Sequence, residues 1–282
     1  MDDWHTVRDD RNRRRRRRNR QSGSTTDCGE FEDKVRLLKT IKSYYVTDLL
    51  KDLVEEVLPF FQDKELIEVA IYGIGSIISS SDSRRQLSFI LRLLDRLGFT
   101  GNPWIYDPVL TTEEYQFLEE NFGMKTEKLT CGPGKRNTTL VWPHPSLLFM
   151  PHVEKGMFND VLFANWILET SGRKFSHLNN ITMIGNSFQS MRDSIPERIF
   201  KVEYKHLFHA MELGIVNETE LKSISKDDTT FNDFSVVTFD TNSKLDLMNN
   251  AIPFSLSNLE PVYSMEREEG KVEQENILQE QD

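Results

Sequence analysis

Cysteine is nearly absent. Cys28 and Cys131 are the only two in 282 residues, which excludes a disulfide framework and points to a reducing compartment. The sequons at Asn137 and Asn217 then read as chance matches. No apolar run approaches the roughly 20 residues of a membrane-spanning helix, and the opening MDDWHTVRDD lacks the apolar segment of a secretory signal. Several catalytic signatures are missing too. There is no G-x-S-x-G elbow, which argues against a serine hydrolase. Gly132-Pro133-Gly134-Lys135 lacks both the glycine spacing and the trailing Ser or Thr of a phosphate-binding P-loop. His144 and His152, and the pair His206 and His209, have no cysteine near them in sequence, so no metal site is expected.

What is present is a core-forming chain with charged ends. Apolar residues make up 38% and aromatics 10%, enough for a core, whereas 28% charged residues point to solvated tails as well. The net charge of -10 is unevenly spread. Residues 1–20 carry nine Arg and four Asp; residues 260–282 carry eight acids and two bases, leaving an acidic body between. An acidic body argues against a nucleic-acid-binding fold. The tract Arg11–Arg20 reads as a binding segment for a nuclear import receptor, as an RNA-binding arm, or as a solvated tail. The composition divides the chain into a disordered basic arm (1–30), a helical segment (31–64), an α/β domain (65–240) and a C-terminal extension with an acidic tail (241–282).

The central stretch is Glu65–Leu97. Leu66 to Ile71 is a near-continuous apolar run, as in a strand covered on both faces. Gly73 and Gly75 mark a tight turn, a serine cluster supplies helix caps, and Leu87 to Leu97 recurs at helical spacing. The same alternation follows. Trp104–Tyr106 reads as a second strand, Thr111 or Thr112 caps a helix stopped by Gly123, and a third strand includes Lys125–Thr130. Leu147–Met150 is a fourth strand, followed by a helix over about Lys155–Thr170. Ile181–Ile184 is a fifth strand, residues 197–224 are largely helical, and Ser235–Phe239 is a last strand. Before them, the periodicity of Phe31–Phe61 predicts two helices or one bent helix. The pattern predicts a Rossmann-like three-layer α/β sandwich with a mostly parallel sheet. Ligands in such sheets sit beyond the carboxyl ends of the strands, where strand order reverses.

Four motifs directly follow apolar strands and would converge there. Gly73, Gly75 and Ser76 begin an adenosine- or dinucleotide-binding turn, although Ile78 stands where a third glycine would be. Asp107, after the second strand, is placed to hold a ribose hydroxyl or simply to turn the chain. Ser76 to Ser83 with Arg84 and Arg85 read either as a phosphate cradle at a helix N-terminus or as a cap with two solvated arginines. His152, at the end of the fourth strand, is a candidate general acid or base or a turn histidine bonded to backbone. Asn186 is the corresponding candidate after the fifth strand.

The same strand ends carry a family resemblance. YGIGSIISSSDSRRQLSFILRL (72–93), IYDPVLTTEEYQFLEENFG (105–123), LLFMPHVEKGMFNDVLFANW (147–166), IGNSF (184–188) and FNDFSVVTF (231–239) resemble the Sensitivity-to-Red-light-Reduced family, whose fungal members include a benomyl-resistance protein. The resemblance implies a regulatory role: light signalling and the circadian clock, regulation of haem biosynthesis, or microtubule-related processes. It implies no settled enzymatic activity and no known cofactor. Pro108, Pro151, Asn165 and Ser187 match family motifs and join the candidates as pocket residues. The family's MPH motif is commonly followed by Cys, whereas Val153 stands here.

The favoured reading is a cytoplasmic and nuclear regulatory protein acting through protein partners, with a small-molecule site at the strand ends. The second reading is a nucleotide- or S-adenosylmethionine-dependent enzyme using Gly73, Gly75 and Asp107 for the cofactor and His152 or Asn186 near the chemistry. A third is an RNA-associated protein using the arginine arm.

Overall fold

The computed structural model describes residues 26–62, 65–126, 140–224 and 228–253. The arginine tract, the Cys131–Asn137 turn and the acidic tail lie outside the described residues.

A seven-stranded sheet organises the chain. In sequence order its strands are β1 (Glu68–Tyr72), β2 (Trp104–Tyr106), β3 (Lys125–Thr126), β4 (Ser146–Met150), β7 (Ile181–Asn186), β8 (Val216–Glu220) and β9 (Phe234–Phe239). A separate hairpin pairs β5 (Leu168–Thr170) with β6 (Arg173–Phe175). The order across the sheet is β3-β2-β1-β4-β7-β9-β8. The first five of these run parallel, and β9 is antiparallel to both of its neighbours. The expected mostly parallel sheet is present, and the last strand runs the opposite way. Strand order reverses between β1 and β4.

Alternation along the strands fills two cores. Val69 and Ile71 of β1, with Leu147 and Phe149 of β4, face one side; Ala70, Tyr72, Leu148 and Met150 face the other. Burial on both faces, complete in β4 and from Val69 onward in β1, is why these strands read as apolar runs. The first core is covered by α1 (Thr26–Tyr45), α2 (Asp48–Val57), α3 (Ser81–Arg96) and α4 (Thr112–Phe122). The helical segment before β1 is thus two helices, and it clamps α3: Ser88 Oγ donates to the Ile41 carbonyl at 2.9 Å, and Arg92 donates to the carbonyls of Tyr45 and Thr47 at 2.6 and 3.1 Å.

The second core is covered by α5 (Lys155–Asn165), α6 (Phe188–Asp193), α7 (Glu197–Glu203), α8 (Lys205–Glu212) and α9 (Leu245–Ala251). The helix expected to reach Thr170 stops at Asn165. Ser171 and Gly172 both have positive φ (52° and 75°), the signature of a two-residue hairpin turn, and this turn folds β5 onto β6. The stretch expected to be helical to 224 gives way at Val216 to β8, an edge strand of sequence VNETE.

Candidate functional site

The parallel strands deliver the loops after β1, β2, β4 and β7 to one edge of the sheet. The antiparallel β9 starts at the same edge, with Phe234 paired to Asn186.

The first half of the edge is built around the glycine turn. Gly73 has φ +72°, and a Cβ there would lie 2.3 Å from Val153 Cγ1 and 2.8 Å from the Pro151 carbonyl oxygen. Only glycine allows the β1 and β4 turns to touch in this way. Gly75 has φ +76°, and its N–H donates to Asp107 Oδ2 at 2.6 Å. The Val109 N–H donates to Asp107 Oδ1 at 2.8 Å. The Asp107 backbone is fixed in turn by Tyr115, whose hydroxyl donates to its carbonyl at 2.8 Å. Burial, ahead of the opposing hydrogen bond at the Asp107 backbone, raises the Tyr115 phenol above its ordinary pKa.

Glu114 closes this half. Its Oε1 accepts from Ser76 Oγ at 2.7 Å and from the Ile78 N–H at 3.0 Å. Its Oε2 accepts from the Thr111 N–H at 2.9 Å, and Thr111 Oγ1 accepts from the Glu114 N–H at 3.2 Å. This reciprocal cap starts α4. The T-x-x-E spacing of Thr111 and Glu114 is the sequence signal for this cap; nothing local marks Ser76 and Ile78 as the other partners of Glu114.

The second half lies over β4, β7 and β9. His152 is exposed and has φ +54°, uncommon for a residue with a Cβ. Its N–H donates to Asn186 Oδ1 at 2.9 Å, and its ring meets Phe234 edge-on at 5.9 Å between centroids. Asp233, also at positive φ (64°), accepts from the Ser187 N–H through its carbonyl at 2.8 Å. Ser187 caps α6, its Oγ accepting from the Ser190 N–H at 3.1 Å. Glu218 on β8 accepts from the N–H groups of Phe188 and Gln189 at 2.9 and 3.2 Å. Asp233 and Glu218 reach this place through long-range strand pairing, and no local sequence signal marks either.

Gly73, Gly75, Ser76, Asp107, Pro108, Pro151, His152, Asn186 and Ser187 therefore share one edge, with Pro151 buried and Pro108 exposed. Asn165 does not join them. It ends α5 at the opposite end of the sheet, where Nδ2 donates to the carbonyls of Leu140 and Val161 and Oδ1 accepts from the Trp142 N–H. It braces the entry to β4.

The two arginines are half-buried, and each bonds within the protein. Arg84 donates to the carbonyls of Ile77 and Ile78 at 2.8 and 3.0 Å. Arg85 pairs with Asp228 at 2.6 Å and also donates to Thr230 Oγ1. Burial alone would raise the Asp228 carboxyl; the bonds from Arg85 and from the Thr230 and Phe231 N–H groups bring it below its ordinary value. Ser80 is the residue that caps α3, accepting from the Ser83 N–H at 3.1 Å. A cavity of about 710 Å³ lies behind Glu114, lined by Asp33, Leu37, Ile78, Arg84, Glu113 and Phe117, and not over the strand ends. Among the described residues no group of three or more His, Cys, Asp or Glu could hold a metal ion, and no helix is long and apolar enough to cross a membrane.

Comparison with known proteins agrees with the motif pattern. The SRR1 domain family matches residues 44–238. The Arabidopsis thaliana protein SENSITIVITY TO RED LIGHT REDUCED 1 is 32% identical over 130 residues, 46% of this chain and 42% of that protein. An SRR1-like protein of Mus musculus is 27% identical over 150 residues, 53% of this chain and 55% of that one. An SRR1-like protein of Drosophila melanogaster is 26% identical over 176 residues, 62% and 56% respectively. The chain thus spans about half the length of these curated relatives. No solved structure matches it.

Proposed function

Because the chain belongs to the SRR1 domain family, we propose that it is a regulatory protein that binds an adenosine-containing small molecule at the carboxyl edge of its sheet. One observation carries the reading. Strand order reverses between β1 and β4, and the glycine turn after β1 is tied, on its β2 side, to an acid after β2, the Gly75 N–H to Asp107. Crevices at such reversals are where open α/β sheets bind ligands. The regulatory setting is drawn from the family: light and clock signalling, haem biosynthesis or microtubule-related processes. Protein partners would read the bound state in cytoplasm and nucleus, with Arg11–Arg20 serving a nuclear import receptor.

The test is a thermal-shift series on the full chain with adenosine, S-adenosylmethionine, ATP, NAD and haem. A ligand at about a hundred times its Kd stabilises by about 2.7 kcal/mol, which for a domain of this size raises Tm by about 5–10 °C. No rise with any adenosine compound at millimolar concentration sinks the reading and leaves regulation through protein partners alone.

A second reading, an enzyme using the same ligand, is favoured by the exposed His152 at this edge, whose backbone N–H is held by Asn186 Oδ1. It requires a chemically altered product after incubation of ligand with protein and a cell extract.

A further inference from the structure

We propose that the ligand of this edge is an adenosyl compound that carries no phosphate, with S-adenosylmethionine and S-adenosylhomocysteine as the type compounds, and that neither ATP nor NAD is accommodated. The inference rests on the adenosine-site reading above and narrows it.

Three features of the edge select against phosphate. The first is the glycine turn. A dinucleotide turn presents free backbone N–H groups and a helix N-terminus to a pyrophosphate. Here the Gly75 N–H is spent on Asp107, the Ile78 N–H on Glu114, and the Ser83 N–H of α3 on Ser80. Of the nearby guanidinium groups, Arg85 is neutralised by Asp228, and Arg84 turns its Nη1 inward to the carbonyls of Ile77 and Ile78.

The second is the shape of the far half. A dinucleotide needs a second parallel mononucleotide unit beyond the reversal. In this sheet β7 is followed across the edge by β9, which runs antiparallel. Its start brings Asp233 and Phe234 to the place where the second nucleotide would lie, and His152 packs its ring on Phe234. Beyond the reversal β4 and β7 are parallel, and the antiparallel β9 stands where the third strand of a second unit would be.

The third is charge. Asp107 and Glu114 support the turn after β1; beside the loop after β7, the Glu218 carboxylate accepts from the Phe188 N–H and the Asp233 carboxylate from Ser190 Oγ. Carboxylates so placed repel a polyphosphate and favour a ligand bearing a sulfonium and an ammonium group. Asp107 is only 5% exposed; each of its oxygens accepts one loop N–H and has a second lone pair, the acceptor position that a ribose hydroxyl would use.

Isothermal titration of the full chain with S-adenosylmethionine, S-adenosylhomocysteine, ATP and NAD tests the proposal. The expected result is micromolar binding of the two adenosyl compounds, at least a hundredfold tighter than ATP or NAD. Binding of ATP or NAD as tightly as S-adenosylhomocysteine overturns the inference and leaves the adenosine-site reading standing. Silence from all four overturns both. Hydrogen–deuterium exchange with S-adenosylhomocysteine locates the site without any variant. Slowed exchange is expected over residues 73–76, and protection confined to the cavity between α1 and α4 overturns the placement.

Discussion

Gly73 shows how much one missing methyl group decides. Its φ of +72° already disfavours any residue with a Cβ, and the space a Cβ would take is filled by Val153 Cγ1 and the Pro151 carbonyl. Gly73→Ala is therefore expected to destabilise the protein by about 2–4 kcal/mol, backbone strain and overpacking acting together. Urea denaturation measures this as a lowered midpoint at unchanged slope. Val153→Ala in the same chain should recover only part of the loss. It removes the contact at 2.3 Å but not the carbonyl at 2.8 Å or the positive φ. Full recovery in the double variant would mean that the β4 backbone moves freely against the β1 turn, contrary to the close approach described. His152 is held in the same left-handed region, at φ +54°, although its Cβ is present. That conformation persists because Asn186 and Phe234 grip its two sides.

Among the elements, α4 and the glycine turn are one unit joined by a carboxylate. Glu114 is 1% exposed and accepts from a hydroxyl and two N–H groups, one on its own cap and the others on the turn after β1. Glu114→Ala should cost about 2–4 kcal/mol, a lost cap plus buried donors left without partners. Glu114→Gln keeps an acceptor and should cost less. A chemical-shift comparison should show Glu114→Ala disturbing the Ser76 and Ile78 amides as strongly as those of Thr111. Disturbance confined to α4 would separate the two elements. This link was half legible. Strands β1, β4 and β7 are buried on both faces and β2 is a short apolar run with Trp104 exposed, so their runs and their trailing turns stand out in the sequence. Thr111 and Glu114 carry a capping spacing, but the partner of Glu114 across the chain, Ser76, does not announce itself. Strand β8 was hidden because an edge strand with one wet face reads VNETE, which has no apolar run. The β5–β6 hairpin was absorbed into a helix because Trp166, Ile167 and Leu168 continue a plausible helical stripe until Ser171 and Gly172 turn the chain. The direction of β9 has no signature at all, since alternation is the same in both directions. Asn165 shows the converse. Motif matching placed it with the pocket residues, whereas one further helix length carries it to the other end of the sheet.

For the molecule as a whole, acid stability should depend on one buried imidazole. His206 lies on α8 between Phe163 and Trp166, with ring centroids 5.2 and 5.3 Å away, and neither of its ring nitrogens has a hydrogen-bond partner among the described residues. Burial, with smaller contributions from Lys205 and His209, lowers its pKa to about 3. In the unfolded chain it titrates near the ordinary value of about 6.5. Between those two values the unfolded state binds the additional proton, so stability rises with pH through this window. The contribution is fully present above about pH 6.5 and is lost progressively as pH falls toward 3. At pH 5 the loss is about 2 kcal/mol, at about 1.4 kcal/mol per pH unit below the unfolded pKa. Replacing His206 with Leu removes the proton-binding difference while keeping an apolar side chain in the gap between the two rings. The difference in unfolding free energy between the parent and His206→Leu, measured at pH 7 and again at pH 5, should therefore shift by about 2 kcal/mol in favour of the variant. Other carboxylates and histidines titrate equally in both proteins and cancel from that difference. A shift near zero would show that water or a polar partner reaches the imidazole in the folded state, and that the second core is not sealed at α8.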